Sequence, residues 1–173
     1  MIKLIPFTKE HISLKYIAWF HDPEVCKYTE NFESVWGKDD AAEWLHNTQE
    51  QGDQVYAILH AGDHIGNCAI TNIDKVNSHA GMSFLIGDRG YWGKGIGTIV
   101  GQMLMAIGFT QMGLNKMWIG TLEDNVAMNT VAINLGFYNV NLFLEEKWYQ
   151  DGYAHVLKYS MLKAEYLMMK NEK

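Results

Sequence analysis

The sequence predicts a mixed α/β domain, a mostly antiparallel sheet with helices packed across its faces. Three observations carry that prediction. The apolar spacing switches between a helical period and a period of two along the chain. Three consecutive strand-like runs are joined by short polar links, which makes an antiparallel meander. Near the end, Asp151 and Gly152 separate two alternating runs, the strongest short hairpin signal in the chain.

Residues 2–7 read as a first strand, with Thr8 as the N-cap of a following helix. Ile12, Tyr16 and Trp19/Phe20 recur at helical spacing, and Asp22-Pro23 stops that helix. Residues 38–51 form a second helix with Ala41, Trp44 and Leu45 on one side. Val55-Tyr56-Ala57-Ile58-Leu59 is a strand, Ala61-Gly62-Asp63 a turn, and residues 64–73 the next strand. A polar turn over residues 74–78 leads to a strand over residues 79–86. Ile96, Ile99, Val100, Met103, Leu104 and Ile107 then form one helical stripe, and Gly113 stands where a C-cap glycine belongs. Residues 116–121 are a strand, and residues 125–135 a helix ending at Gly136. The closing strands are residues 142–148 and 153–161, with a short helical tail after them. No linker or internal repeat divides the 173 residues, so a single domain over 1–173 is expected.

Composition narrows the function. Lys plus Arg is 14 against 20 Asp plus Glu, a net charge of −6. Duplex-binding modules are basic, so no nucleic-acid partner is expected. No apolar run approaches the ~20 residues of a membrane span, and the N-terminus lacks a signal-peptide core. A soluble, cytoplasmic protein with no membrane partner is expected. Cys26 and Cys68 make no CxxC pair and read as free thiols. His60 and His64 are four apart, but Ala61-Gly62-Asp63 breaks any helix between them, so no metal site is expected. The ten Met residues fit core packing.

The stretch Gly87-Asp88-Arg89-Gly90-Tyr91-Trp92-Gly93-Lys94-Gly95-Ile96-Gly97-Thr98 lies between a strand and the best amphipathic helix. Glycines let backbone N–H groups approach a ligand, and a helix start leaves its first N–H groups unpaired at the positive end of the dipole. Together they make a phosphate cradle. A P-loop fails, because Lys94 is followed by Gly95 rather than Ser or Thr. A dinucleotide fingerprint fails too, because the glycines follow an antiparallel meander and Met117 stands where an acidic residue is needed. A tight turn whose glycines serve helix packing is the plain alternative.

The order of elements, Trp92-Gly93-Lys94-Gly95-Ile96-Gly97-Thr98 and the later Asn125 with Gly136-Phe137 resemble the GNAT superfamily of acyl-CoA-dependent N-acetyltransferases. Tyr16-Ile17-Ala18-Trp19 with Asp22-Pro23-Glu24-Val25, and His64-Ile65-Gly66-Asn67, resemble its ribosomal-protein N-terminal acetyltransferase branch. The resemblance spans nearly the whole chain and implies the GNAT fold with acetyl-CoA as cosubstrate. It implies that the loop N–H groups of Gly93, Lys94, Gly95, Ile96, Gly97 and Thr98 hold the pyrophosphate, with Arg89 and Lys94 as cations. The pantetheine arm would pair with the backbone of Phe84, Leu85 and Ile86, and Asn125 would contact the cosubstrate. The chain departs from the family pattern at its proton-handling positions: Gly81 replaces the Glu, Ala132 the Tyr, Met128 the Ser of a related branch, and Trp92 the loop's first Arg or Gln. His79, on the strand face of Gly81, is the nearest titratable substitute and the expected base.

The implied acceptor is a primary amine of a small molecule, an amino sugar on a nucleotide being one form. Polyamines, a protein N-terminus, and an acyl-CoA-binding module with little turnover are the alternatives, and a homodimer is left open. Trp19, His21, Asp22, Tyr28, Trp36, Trp148 and Tyr149 are candidate walls of the acceptor site.

Overall fold

A computed structural model describes residues 1–29 and 36–171. The strands among these residues are β1 (Ile2–Pro6), β2 (Gln54–His60), β3 (Asp63–Asp74), β4 (His79–Ile86), β5 (Lys116–Leu122), β6 (Tyr138–Tyr149) and β7 (Gly152–Leu162). The α-helices among the described residues are α1 (Leu14–Trp19), α2 (Pro23–Cys26), α3 (Lys38–Glu50), α4 (Ile96–Ala106), α5 (Val126–Asn134) and α6 (Lys163–Asn171). The sheet order is β1-β2-β3-β4-β5-β7-β6. Pairing is antiparallel for β1–β2, β2–β3, β5–β7 and β6–β7, and parallel for β4–β5. The expected mixed, mostly antiparallel sheet with flanking helices is therefore the observed fold.

The chain divides into two compact units. The first comprises residues 1–72 and 83–100. Its core gathers Phe7, Tyr16, Trp19, Phe20, Trp36, Leu45 and Val55. Rings dominate it: Phe20 stacks on Trp36 at 4.7 Å, and Tyr16 meets Phe7 at 5.2 Å. The helices start where side chains accept the orphan N–H groups. The Ser13 hydroxyl accepts from Tyr16 N–H at the head of α1, and the Asp22 carboxylate accepts from Glu24 N–H at the head of α2. Asp40 accepts from Gly37 N–H at 2.7 Å and, with Asp39, suits the positive end of α3.

The second unit comprises residues 73–82 and 101–173. Its core holds Leu104, Met105, Phe109, Met117, Ile119, Leu135, Phe137 and Met161. Phe109 stacks on Tyr166 of α6 at 4.8 Å. Gly101 lets α4 approach Leu135, where any Cβ would overlap the leucine methyls.

Four sequence expectations are corrected. Thr8 heads only a 3-10 turn, Lys9–His11, because its N–H goes to His11 Nδ1 at 3.0 Å; the helix starts later, behind Ser13. The Asp22-Pro23 stop also opens a further short helix, α2. The α4 stripe turns at its end: a π-helical turn over Ile107–Gln111, with Met112 N–H on Ile107 C=O, brings Phe109 into the core, while Ile99 is 42% exposed. The closing hairpin pairs Tyr149 with Gly152, so its two-residue loop is Gln150-Asp151, and the left-handed residue is Gln150.

Candidate functional site

In the first unit, β4 ends at Ile86 and α4 begins at Ile96. Between them, Asp88 caps a 3-10 turn over Arg89–Tyr91 by accepting from Gly90 N–H at 3.1 Å. Gly93 and Gly95 follow with φ of 69° and 72°, a conformation that costs a residue with a Cβ about 1–2 kcal/mol. Nothing lies within 4 Å of where a Cβ on either would project, so both glycines border open space. The Gly95 carbonyl accepts the first helical bond, from Ile99 N–H at 3.2 Å. The N–H groups of Ile96, Gly97 and Thr98 thus fall in the first turn, where a helix supplies no acceptor for them. The Ile96 side chain is buried, so its contribution to a ligand is its backbone. First-turn donors without a helical acceptor, a helix dipole and open space beside both glycines suit an anion.

The charged residues around the loop are engaged. Arg89 Nη1 lies 3.4 Å from Asp22 Oδ2. Lys15 Nζ lies 3.0 Å from Asp88 Oδ2, and this lysine, chiefly, holds the Asp88 carboxyl below its ordinary range. Lys94 Nζ lies 5.5 Å from the centre of the Tyr91 ring, and Tyr91 meets His60 edge-on. Trp19 of α1 fills the space that a side chain on Gly87 would need. Trp92 donates its indole N–H to the Ile86 carbonyl at 2.7 Å. Sequence reasoning missed that bond, since spacing shows a substituted position but not where the new side chain reaches.

In the second unit, β4 and β5 run parallel from His79↔Lys116 to Gly81↔Trp118. His79 Nε2 lies 3.6 Å from Asp74 Oδ2, while Nδ1 is buried with no hydrogen-bond partner among the described residues. His79 and Ile86 stand at opposite ends of β4. Asn125 caps α5 by accepting from Met128 N–H at 3.1 Å. Asn129, which the sequence did not single out, pins the turn before it: Nδ2 donates to the carbonyls of Leu122 and Glu123, and Oδ1 accepts from Tyr159. Ala132, at the family's Tyr position, is fully buried.

The proposed acceptor walls fare unevenly. Trp19 and Trp36 are core residues at 6% and 9% exposure. His21 bonds the Trp36 carbonyl, and Asp22 is taken by its cap and by Arg89. Tyr28 is half-buried beneath Lys27. In the hairpin, Tyr149 is half-buried and Trp148 is exposed, meeting Tyr153 edge-on at 5.1 Å. Cys26 and Cys68 are free and buried, and burial pushes both thiols up. Among the described residues, no helix is long and apolar enough to cross a membrane, and no cluster of His, Cys, Asp and Glu is arranged to hold a metal.

The acetyltransferase (GNAT) domain family matches residues 2–138. The chain is 28% identical to the uncharacterized N-acetyltransferase p20 of Bacillus licheniformis, over 86% of this chain and 85% of that protein. It is 22% identical to spermidine N(1)-acetyltransferase of Escherichia coli K12, over 96% and 88%. Among solved structures, spermidine N-acetyltransferase from Vibrio cholerae in complex with CoA and spermine superposes with a TM-score of 0.85 at 16% identity, covering 96% of this chain and 98% of that one. RimL, a ribosomal L7/L12 alpha-N-protein acetyltransferase bound to CoA, superposes with a TM-score of 0.84 at 18% identity, covering 93% of each. The glycine-lined helix start and these likenesses agree, and the chain belongs to the GNAT family of acetyltransferases, an N-acetyltransferase with acetyl-CoA as its cosubstrate.

Proposed function

We propose that this chain acetylates a primary amine of a small molecule, and that a polyamine is the acceptor class it takes. The loop at the start of α4 carries the reading of the donor side. There the backbone N–H groups of residues 93–98 face the pyrophosphate, with Lys94 adding positive charge and Arg89, paired with Asp22, bordering the loop. The backbone of Phe84, Leu85 and Ile86 takes the arm of the cosubstrate. Acetyl-CoA, when bound, supplies the activated acyl thioester. His79, with Asp74 Oδ2 3.6 Å from its Nε2, is the side chain we assign to the amine's proton, taken directly or through one water. Backbone N–H groups of β4 supply the donors that an oxyanion needs.

The acceptor class is supported by an open hollow of about 440 Å³ in the second unit, at the Leu122 end of β5, as a seat for the part of a polyamine remote from the reacting amine. Glu123, Asp124 and Asp151 line it together with the rings of Tyr149 and Tyr153. Carboxylates beside aromatic faces suit ammonium groups. Two spermidine acetyltransferases among the relatives point the same way. The ribosomal-protein branch, supported by the likeness to RimL, makes a protein N-terminus the second acceptor.

The test is release of free CoA thiol with spermidine, an N-terminal peptide and a nucleotide-linked amino sugar. Spermidine should give the highest kcat/KM, and Asp151→Asn should raise its KM about threefold or more through loss of one nearby charge. Faster turnover of the peptide or the amino sugar would replace this reading of the acceptor.

A further inference from the structure

The glycine loop opens at Trp92. Trp92 is 41% exposed, so burial does not explain a tryptophan there. Its indole N–H reaches back to the carbonyl of Ile86, the last residue of β4. That bond closes residues 86–92 into a ring across the 3-10 turn. Inside the ring, Tyr91 N–H donates to Asp88 C=O at 3.0 Å and Trp92 N–H to Arg89 C=O at 3.1 Å. The Arg89 guanidinium covers the indole at 5.6 Å and is itself held by Asp22, the N-cap of α2. Past Trp92 come the two left-handed glycines, and glycine has the largest conformational freedom of any residue. On their far side the Gly95 carbonyl is fixed by Ile99 N–H. Residues 93–95 therefore hang between two fixed points, α4 on one side and the Trp92 indole on the other.

We propose that Trp92 is a positioning residue for acetyl-CoA, tying the phosphate loop to the end of β4 through its indole N–H. The proposal rests on the reading that this loop takes the pyrophosphate. Without the tie, the loop must be ordered at the moment of binding, which weakens donor binding and leaves the chemical step alone. Trp92→Phe keeps an aromatic ring and removes the donor. It should raise KM for acetyl-CoA about 5- to 10-fold, the worth of one such hydrogen bond, with kcat within about twofold of the parent. Trp92→Gln restores an N–H donor and should bring KM back to within about threefold of the parent. In the ligand-free protein, the Trp92 indole N–H should exchange with solvent at least about tenfold more slowly than that of Trp148, which is 65% exposed.

Equal exchange at the two indoles overturns the tie without reference to any ligand. A Trp92→Phe variant with the parent's KM, or a loss confined to kcat, overturns the positioning role. Equal KM values for the Phe and Gln variants do so as well. A parent that does not bind acetyl-CoA overturns the loop reading itself, and this proposal with it. A parent that binds it while Trp92→Phe binds equally well overturns only the role of Trp92.

Discussion

Acidification from pH 7 to pH 5 should weaken this fold by about 2 kcal/mol through one side chain, His64. Its ring stacks on Tyr16 at 5.9 Å, meets Trp19 edge-on at 5.0 Å and lies 5.9 Å from Phe7. Its Nε2 is buried with no hydrogen-bond partner among the described residues. Burial first, then the neighbouring His11, push its pKa down from 6.5 to about 4, against the opposing effect of the Gly66 backbone and with a last, smaller push from Lys15. The unfolded chain therefore takes up a proton near pH 6.5, and the folded chain only near pH 4. Between those values the unfolded state binds more protons, so stability is complete above the window and falls as pH drops through it. Integrating from pH 7 to pH 5 gives about 2 kcal/mol, an upper figure because solvent reaches part of the ring, or roughly 4–8 °C in Tm for a chain this size. Asp88 and Asp74 do not blur the result. Lys15 holds the first, and the Asn77 side chain the second, below the usual carboxylate range, so both stay ionised throughout. The assay is thermal melting of the parent and of His64→Phe at both pH values. The parent should lose roughly 4–8 °C and the variant less than about 2 °C. Equal losses would refute the argument.

Two further substitutions probe the site. Gly95→Val places a β-branched residue at φ 72° with open space around it, so the fold should survive with a cost of about 1–2 kcal/mol while acetyl-CoA affinity falls at least about tenfold by calorimetric titration. Unchanged affinity would place the phosphates elsewhere. His79→Ala should lower kcat/KM by about 10²-fold with KM for acetyl-CoA near the parent's. A loss under about threefold would assign the proton to another group.

Much of the fold is legible because its signals are local. The meander shows in alternating runs with short polar links, and α5 shows in Asn125 at one end and Gly136, at φ 85°, at the other. The turn between β4 and α4 is legible because glycines cluster there, and Gly93 and Gly95 do take left-handed φ of 69° and 72°. What escaped depends on contacts distant in sequence or on backbone detail. Periodicity assumes a regular helix, so it could not foresee the π-helical turn that brings Phe109 inward. The Asp-Gly rule names the commonest hairpin loop, yet cross-strand register set the loop at Gln150-Asp151. Arg89 reads as a free cation until Asp22, 67 residues away in the chain, is found beside it. Trp92 reads only as a departure from a pattern until its indole is seen on Ile86.

The central claim is that the glycine loop at the head of α4 binds acetyl-CoA. Melting the parent protein with and without acetyl-CoA, at about 100 times the dissociation constant, tests it most directly. The account predicts a stabilisation of roughly 2.7 kcal/mol, about 5–10 °C in Tm, which Gly95→Val largely abolishes. No rise in the parent at millimolar acetyl-CoA, or an equal rise in the parent and the variant, would contradict it.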